Sequence, residues 1–368
     1  MTFEFPSRVR FAHEFQRRLR VALVGCGEQA QRNLLPGMRY APLEVIATCD
    51  VDLTRAEAVG RQLGASRFYS AFDRLLADPE LEAVCLATGY KETGEPWYPE
   101  QAAAALQSGL HVWMEKPPAA SSSAIRELQR LRDQAGRQVA VGFMKIFSAS
   151  VCKIHQLIGL PEFGRVTTIS LRDPEKLPPA ERRTDLRSMR FFLDHIVHPA
   201  SVMQRLVGPV RRLYVEDEPG GGCVIALKFE NDAAGVLHMP WGQSGSAPME
   251  RLEVVGEGAN VVMEANTRIT YYRPGHRGIG EYVYGRTADF TTSLDTAPLQ
   301  WEVDGYSGEP FNMHVFYQGY APELIYFATT VLAGESIRLG SLEDAFQVMR
   351  FFEACQQPSG QSIELSAS

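Results

Sequence analysis

The chain predicts an α/β protein: a doubly wound parallel sheet first, then a domain built around an antiparallel sheet. Three observations predict it. Between Arg20 and Phe143 short β-rich runs alternate with amphipathic stretches, the rhythm of right-handed crossovers over a parallel sheet. The first run ends in a glycine-rich turn that opens a helix, Gly25-Cys26-Gly27-Glu28-Gln29-Ala30. After Ala149 the alternation gives way to strand-like runs divided by turn residues, as in an antiparallel sheet.

In order, the strand runs of the first half are RVALVG, LEVIATCD, LEAVCLATG, LHVWMEKP and VAVGF. QAQRNLLPGM, LTRAEAVGRQLG, PEQAAAALQSG and SAIRELQRLRDQAG lie between them as helices. Past Ala149 come one helical segment, the strand RVTTISL and a loop, DPEKLPPAERRTD, whose proline and charge oppose regular structure. A long helix is predicted from about Arg187 to Val207. VRRLYVED, CVIALKFE, AGVLHMPW, RLEVVG, NVVMEA and RITYYRP follow as strands. APELIYFATTVLAGE and LEDAFQVMRFFEACQQ close the chain as helices, the second capped by Ser341 with Asp344 three residues on.

The 368 residues suffice for about two domains. Hydrophobic residues make up 45% and charged residues 22%, so disorder is excluded. Acidic residues outnumber Lys and Arg by 44 to 37, which opposes a nucleic-acid partner, since phosphate binding depends on cations. The six cysteines, Cys26, Cys49, Cys85, Cys152, Cys223 and Cys355, form no CxxC pair, and a reduced cytoplasm is expected. No run of about 18 apolar residues occurs, so no membrane span is expected. Arg17 and Arg18 precede a stretch too short for a signal core, and no export signal is read.

The turn has the G-x-G-x-x-A form of a dinucleotide-binding loop. Gly25 permits the tight turn, Gly27 lets the backbone approach a pyrophosphate, and Ala30 lets the helix pack close. Asp50 ends the second strand, where an acid meets the adenosine ribose diol and repels a 2'-phosphate. No Arg follows it directly, since Val51 and Asp52 come next, so NAD is expected over NADP. The alternative is a glycine turn that binds no nucleotide.

Two constellations suit chemistry. Glu115-Lys116-Pro117 follows the strand LHVWM directly, which puts Lys116 at the carboxyl edge of the sheet, where a cation polarises an oxygen; elsewhere it would read as a surface lysine. In FFLDHIVHPASVM, Asp194 and His198 at i, i+4 share a helix face. A carboxylate there would orient the imidazole and favour its charged form. His195 and His198 with Asp194 as metal ligands, or a structural His198, are the competing readings; His195 itself reads first as structural.

These residues resemble the glucose-fructose oxidoreductase, inositol dehydrogenase and MocA family of NAD(P)-dependent oxidoreductases. The likeness runs from about Arg20 to Gln356. It rests on GCGEQA, on EKP at Glu115 to Pro117, on VGFMKIF at Val141 to Phe147, on DHIVH at Asp194 to His198, and on FYQGYAPELIYF at Phe316 to Phe327. It implies a Rossmann domain, residues 18–143, and an α/β domain with a large, open, mostly antiparallel sheet, residues 144–368, whose last helix packs back on the first. It also implies catalysis by Lys116, Asp194 and His198 without a metal. Cofactor contacts fall on Gly25, Gly27, Glu28, Gln29, Ala30, Asp50, Thr88, Glu115 and Lys116, and substrate contacts on Tyr98, Lys145, His195 and Tyr317.

The chain departs from the family pattern in places. TGYKETGEPWY is longer than usual, with Tyr98 where a His is common; Ile146 replaces an Arg, with Lys145 before it; Ile196 replaces a Gly; Ser201 replaces an Asp. The reading is an NAD-dependent dehydrogenase for a secondary hydroxyl of a sugar, amino sugar, glycoside or cyclitol, such as aminoglycoside biosynthesis would use. Alternatives are a ketosugar reductase, a redox-neutral enzyme that retains NAD, and a non-catalytic nucleotide-binding regulator. The loops DPEKLPPAERRTD, RPGHRGIGE and DGYSGEPFNMH, with Trp97, Tyr98 and Trp241, are candidates to read a polyhydroxylated substrate. A homodimer or homotetramer is expected, without nucleic acid or membrane.

Overall fold

The computed structural model describes residues 15–274, 297–303 and 310–365. Six strands, β1 (Leu19–Val24), β2 (Leu43–Cys49), β3 (Arg67–Tyr69), β4 (Ala83–Leu86), β5 (His111–Glu115) and β6 (Val139–Gly142), form one parallel sheet in the order β3-β2-β1-β4-β5-β6. Every residue of β4 and β6 is buried, as continuous apolar strands between two helical layers must be. The order reverses between β1 and β4, and doubly wound sheets take their ligands at that point, beyond the strands' carboxyl ends. β3 escaped the sequence reading because it is three residues long and none of them is buried.

A second sheet runs β14-β13-β12-β11-β7-β10-β9-β8-β15. Its members are β7 (Val166–Arg172), β8 (Val210–Asp217), β9 (Cys223–Phe229), β10 (Ala234–Met239), β11 (Arg251–Gly256), β12 (Asn260–Glu264), β13 (Arg268–Tyr272), β14 (Leu299–Glu302) and β15 (Ser362–Glu364). All pairs are antiparallel except β7 with β10. Alternate residues such as Leu213, Val215, Ile225, Leu227, Val254 and Val261 are buried in the core. The long helix Leu186–Val207 shares that core through a stripe at Met189, Phe192, Leu193, Ile196, Ala200 and Met203, three to four residues apart as a helix face requires. Edge strands β14 and β15 were not expected; their residues are half or fully exposed and carry no strong pattern.

The final helix, Leu342–Cys355, starts at the expected cap, with Ser341 and Asp344 each accepting a backbone N–H at 3.1 Å. It returns to the first sheet. Arg132 meets Glu343 at 2.8 Å, and Ser122, at the head of helix Ser122–Ala135, donates to Glu353 at 2.7 Å. No helix among the described residues is long and apolar enough to cross a membrane. The loops RPGHRGIGE and DGYSGEPFNMH fall largely outside the described residues.

Candidate active site

The glycine loop sits at the carboxyl end of β1. Gly25 has a φ of 88°, and a Cβ there would collide with the carbonyl of Ala87 beyond β4, so two strand ends meet at a position that only glycine fills. At Gly27 a Cβ would find nothing within 4 Å, which leaves an open backbone cradle. Ala30 is fully buried at the start of the helix that follows, Ala30–Leu34 continuing as Leu35–Met38. Asp50 directly follows β2 and is tied to the loop: its Oδ2 accepts the Cys26 N–H at 2.8 Å and its Oδ1 the Asp52 N–H at 2.9 Å.

One residue here went unnoticed in the sequence. Arg55, a turn further on, brings Nη1 to 3.4 Å from Asp50 Oδ1, and lines a hollow with Gly27, Glu28, Gln31 and Arg32. The adenosine end therefore holds a cation beside its acid, although none follows Asp50 directly.

The other half of the cradle lies at the ends of β4 and β5. Thr88 donates through Oγ1 to Gln101 at 2.6 Å. Glu115 is buried, accepting from Gln29 at 2.9 Å and from the Lys116 N–H at 3.0 Å. Lys116 Nζ reaches across to the long helix, 2.9 Å from Asp194 Oδ2 and 3.2 Å from the Asp194 carbonyl. Tyr90 donates to the other carboxylate oxygen, Oδ1, at 2.7 Å. Burial and Asp194 push the Tyr90 phenol well up, so it keeps its proton and remains a donor.

This knot corrects one expectation. Asp194 is bound to Lys116 and Tyr90, not to His198. The His198 Nδ1 is buried without a hydrogen-bond partner. Burial first, and then Lys116 and Lys145, hold its imidazole well below the ordinary histidine value, so it is neutral near pH 7 rather than charged by Asp194. Tyr98 is buried in helix Tyr98–Gln107, with its hydroxyl donated to the Thr88 carbonyl and within the influence of Glu115 and Asp194. Tyr90, unremarked in the sequence, is the aromatic bonded to Asp194.

The remaining expected substrate residues meet acids. Lys145 pairs with Asp173 at 3.5 Å and with Glu250; burial opposes its charge, but the two carboxylates outweigh it and raise its value. It is therefore no free ammonium. His195 turns its Nδ1 to the Phe191 carbonyl at 2.9 Å and to Glu175 at 3.3 Å. Tyr317 ends helix Pro310–Tyr317, half-buried. Ile196 is core, and the Ser201 Oγ donates to the His198 carbonyl at 3.0 Å. Asp173 and Glu175 stand in the loop DPEKLPPAERRTD that the sequence offered for substrate reading; Glu250 went unremarked because it lies in a separate loop, and only the fold gathers the three. Among the described residues no group of three or more His, Cys, Asp or Glu is arranged to hold a metal.

Residues 19–143 match the model of the oxidoreductase family with the NAD-binding Rossmann fold, the glucose-fructose oxidoreductase, inositol dehydrogenase and MocA group. Over those residues the chain is similar to that family. Its first domain is therefore an NAD-binding Rossmann domain, and the cradle agrees, with an open glycine, a buried small residue at the helix start and an acid at the second strand's end. An uncharacterized oxidoreductase, ORF334 of Rhizobium meliloti, is 32% identical over 152 residues, 41% of this chain and 44% of that protein; the chain thus spans less than half of that relative. An inositol 2-dehydrogenase of Acidothermus cellulolyticus is 23% identical over 90% of this chain and 96% of its own. Among solved structures, GenD2 from gentamicin A biosynthesis, in complex with NAD, superposes with a TM-score of 0.70 at 20% identity, covering 98% of this chain and 100% of its own. At that identity the likeness is one of fold.

Proposed function

We propose that this protein is an NAD-dependent dehydrogenase for a secondary hydroxyl, or the matching ketone, on a sugar, amino sugar, glycoside or cyclitol. The observation that carries the reading is the Lys116–Asp194–Tyr90 knot beside a neutral His198, at the carboxyl end of β5. Gly25, Gly27, Ala30, Asp50, Thr88 and Glu115 would hold the dinucleotide, which supplies the hydride acceptor or donor when bound.

The chain's own groups do the rest. Lys116, held by both the carboxylate and the carbonyl of Asp194, offers a fixed positive charge to the substrate oxygen and stabilises it as it becomes an alkoxide. His198 takes the hydroxyl proton on its neutral imidazole, and returns it when a ketone is reduced. Asp194 is a positioning residue for Lys116, and Tyr90 holds Asp194. The relatives named for inositol oxidation and for gentamicin A biosynthesis support a polyhydroxylated ring as substrate.

The second sheet leaves Tyr214, Val236, Tyr272 and Leu299 exposed, which supports a homodimer or homotetramer. Six unpaired cysteines suit the cytoplasm. The test is NAD reduction, followed near about 340 nm, against inositols, hexoses, amino sugars and aminoglycosides, with NADP in parallel and keto sugars for the reverse direction. NADH formation with one class is expected. Binding of NADH without turnover in either direction would replace the enzyme by a nucleotide-binding regulator.

A further inference from the structure

The walls of the site carry more acid than its chemistry uses. Four carboxylates, Asp173, Glu175, Asp194 and Glu250, face two lysines, Lys116 and Lys145, a surplus of two negative charges before the histidines are counted. Lys116 belongs to Asp194, and Lys145 is divided between Asp173 and Glu250. Glu175 is left over. It is 4% exposed, and its partners are the backbone N–H of Lys176 at 2.8 Å and His195 Nδ1 at 3.3 Å, a nitrogen that also meets the Phe191 carbonyl at 2.9 Å.

A buried carboxylate without a matching cation is unfavourable unless a ligand brings the charge. Burial already pushes the carboxyls of Asp173 and Glu175 up, as expected for anions short of a counterion. A second observation points to a ligand in the same place: the His198 imidazole lies within the influence of Lys116, Lys145 and His195, and its buried Nδ1 has no hydrogen-bond partner. A metal ion is disfavoured as the missing cation, because no three acids or histidines among the described residues are arranged around one point.

We propose that the substrate carries an ammonium group, as an amino sugar or aminocyclitol does, and that Glu175, backed by Asp173 and Glu250, is the residue that reads it. This rests on the dehydrogenase reading and narrows its substrate class. A neutral polyol would bring hydroxyls but leave the surplus charge uncompensated. An ammonium supplies both charge and donors, and a charge-assisted hydrogen bond to a buried carboxylate discriminates by about tenfold or more.

The test compares matched pairs on the intact protein with NAD: glucosamine against glucose, and an inosamine against the corresponding inositol. The amine of at least one pair is expected to have a kcat/KM at least about tenfold higher. Its KM should rise as the ammonium is titrated away at alkaline pH, with the neutral partner's KM unmoved. Glu175→Gln should cut the amine-to-neutral ratio at least about tenfold; if that variant fails to fold, Glu250→Gln tests the same wall. Equal or better use of the neutral partners by the wild type would overturn the proposal while leaving the dehydrogenase intact, and would hand the surplus charge to the oxidised nicotinamide. If nothing in the panel is turned over, the dehydrogenase reading fails by itself. Calorimetric titration of the NADH complex with each pair then still decides whether an amine is preferred.

Discussion

The two halves of the site are built on different principles. On the cofactor side, backbone geometry does the work: strand ends, a left-handed Gly25 under the Ala87 carbonyl, an open Gly27, and Asp50 hydrogen-bonded to the loop's own amide. On the substrate side, side chains from four separated segments meet: Tyr90 after β4, Lys116 after β5, Glu175 in a loop, and Asp194 with His198 on a helix. The glycine loop and its acid are written locally, within some 25 residues. A side-chain knot is written across the chain, so its partners can be mistaken one for another, as His198 was taken for the partner of Asp194 in place of Lys116 and Tyr90.

The largest effects should come from the knot. Lys116→Ala and His198→Asn should each lower kcat at least about 100-fold, read by initial rates with the best substrate; turnover near wild type in both would break the assignment. Gly25→Ala should do its damage on the other side, through folding and cofactor affinity. Strain at positive φ together with the clash at Ala87 predicts a loss of about 2 kcal/mol or more and a weaker Kd for NADH, measured by thermal melts and by titration. A melt and a Kd both equal to wild type would show the loop to be less constrained than its geometry says.

Tyr90→Phe and Tyr98→Phe sharpen the contrast. Losing the Tyr90 bond to the Asp194 carboxylate should cost roughly tenfold in kcat. Losing the Tyr98 bond to the Thr88 carbonyl should leave kcat within about threefold and cost about 1 kcal/mol of stability. The reverse ranking would make Tyr98, not Tyr90, the functional aromatic.

The mildest signature is in pH. His198 acts as a base when neutral, and burial beside Lys116 and Lys145 lowers its value. It therefore stays deprotonated on acidification past the ordinary histidine value of about 6.5, and the acid limb of kcat/KM should lie below that pH. A limb at or above it would mean that the imidazole is not held down in the free enzyme.

The fold was legible where periodicity is strong. Continuous apolar runs named β1, β2, β4, β5 and β6, and a three-to-four-residue stripe named the long helix. Where an element is three or four residues at a sheet edge, as in β3, β14 and β15, no period accumulates and the pattern stays silent. Residue types and their order marked Gly25, Gly27, Asp50, Lys116, Asp194 and His198, because turn geometry, strand ends and helix spacing are local properties. They also led to Asp194 as the partner of His198, which i, i+4 spacing allows but does not require. Only the tertiary structure gave Asp194 to Lys116 and Tyr90, left the His198 Nδ1 without a partner, committed Lys145 to Asp173 and Glu250, and set Arg55 beside Asp50. The physical reason is that a charge takes the nearest opposite charge in space under burial. Distance in space between segments nearly 80 residues apart, such as Lys116 and Asp194, is decided by packing, not by anything either segment carries alone.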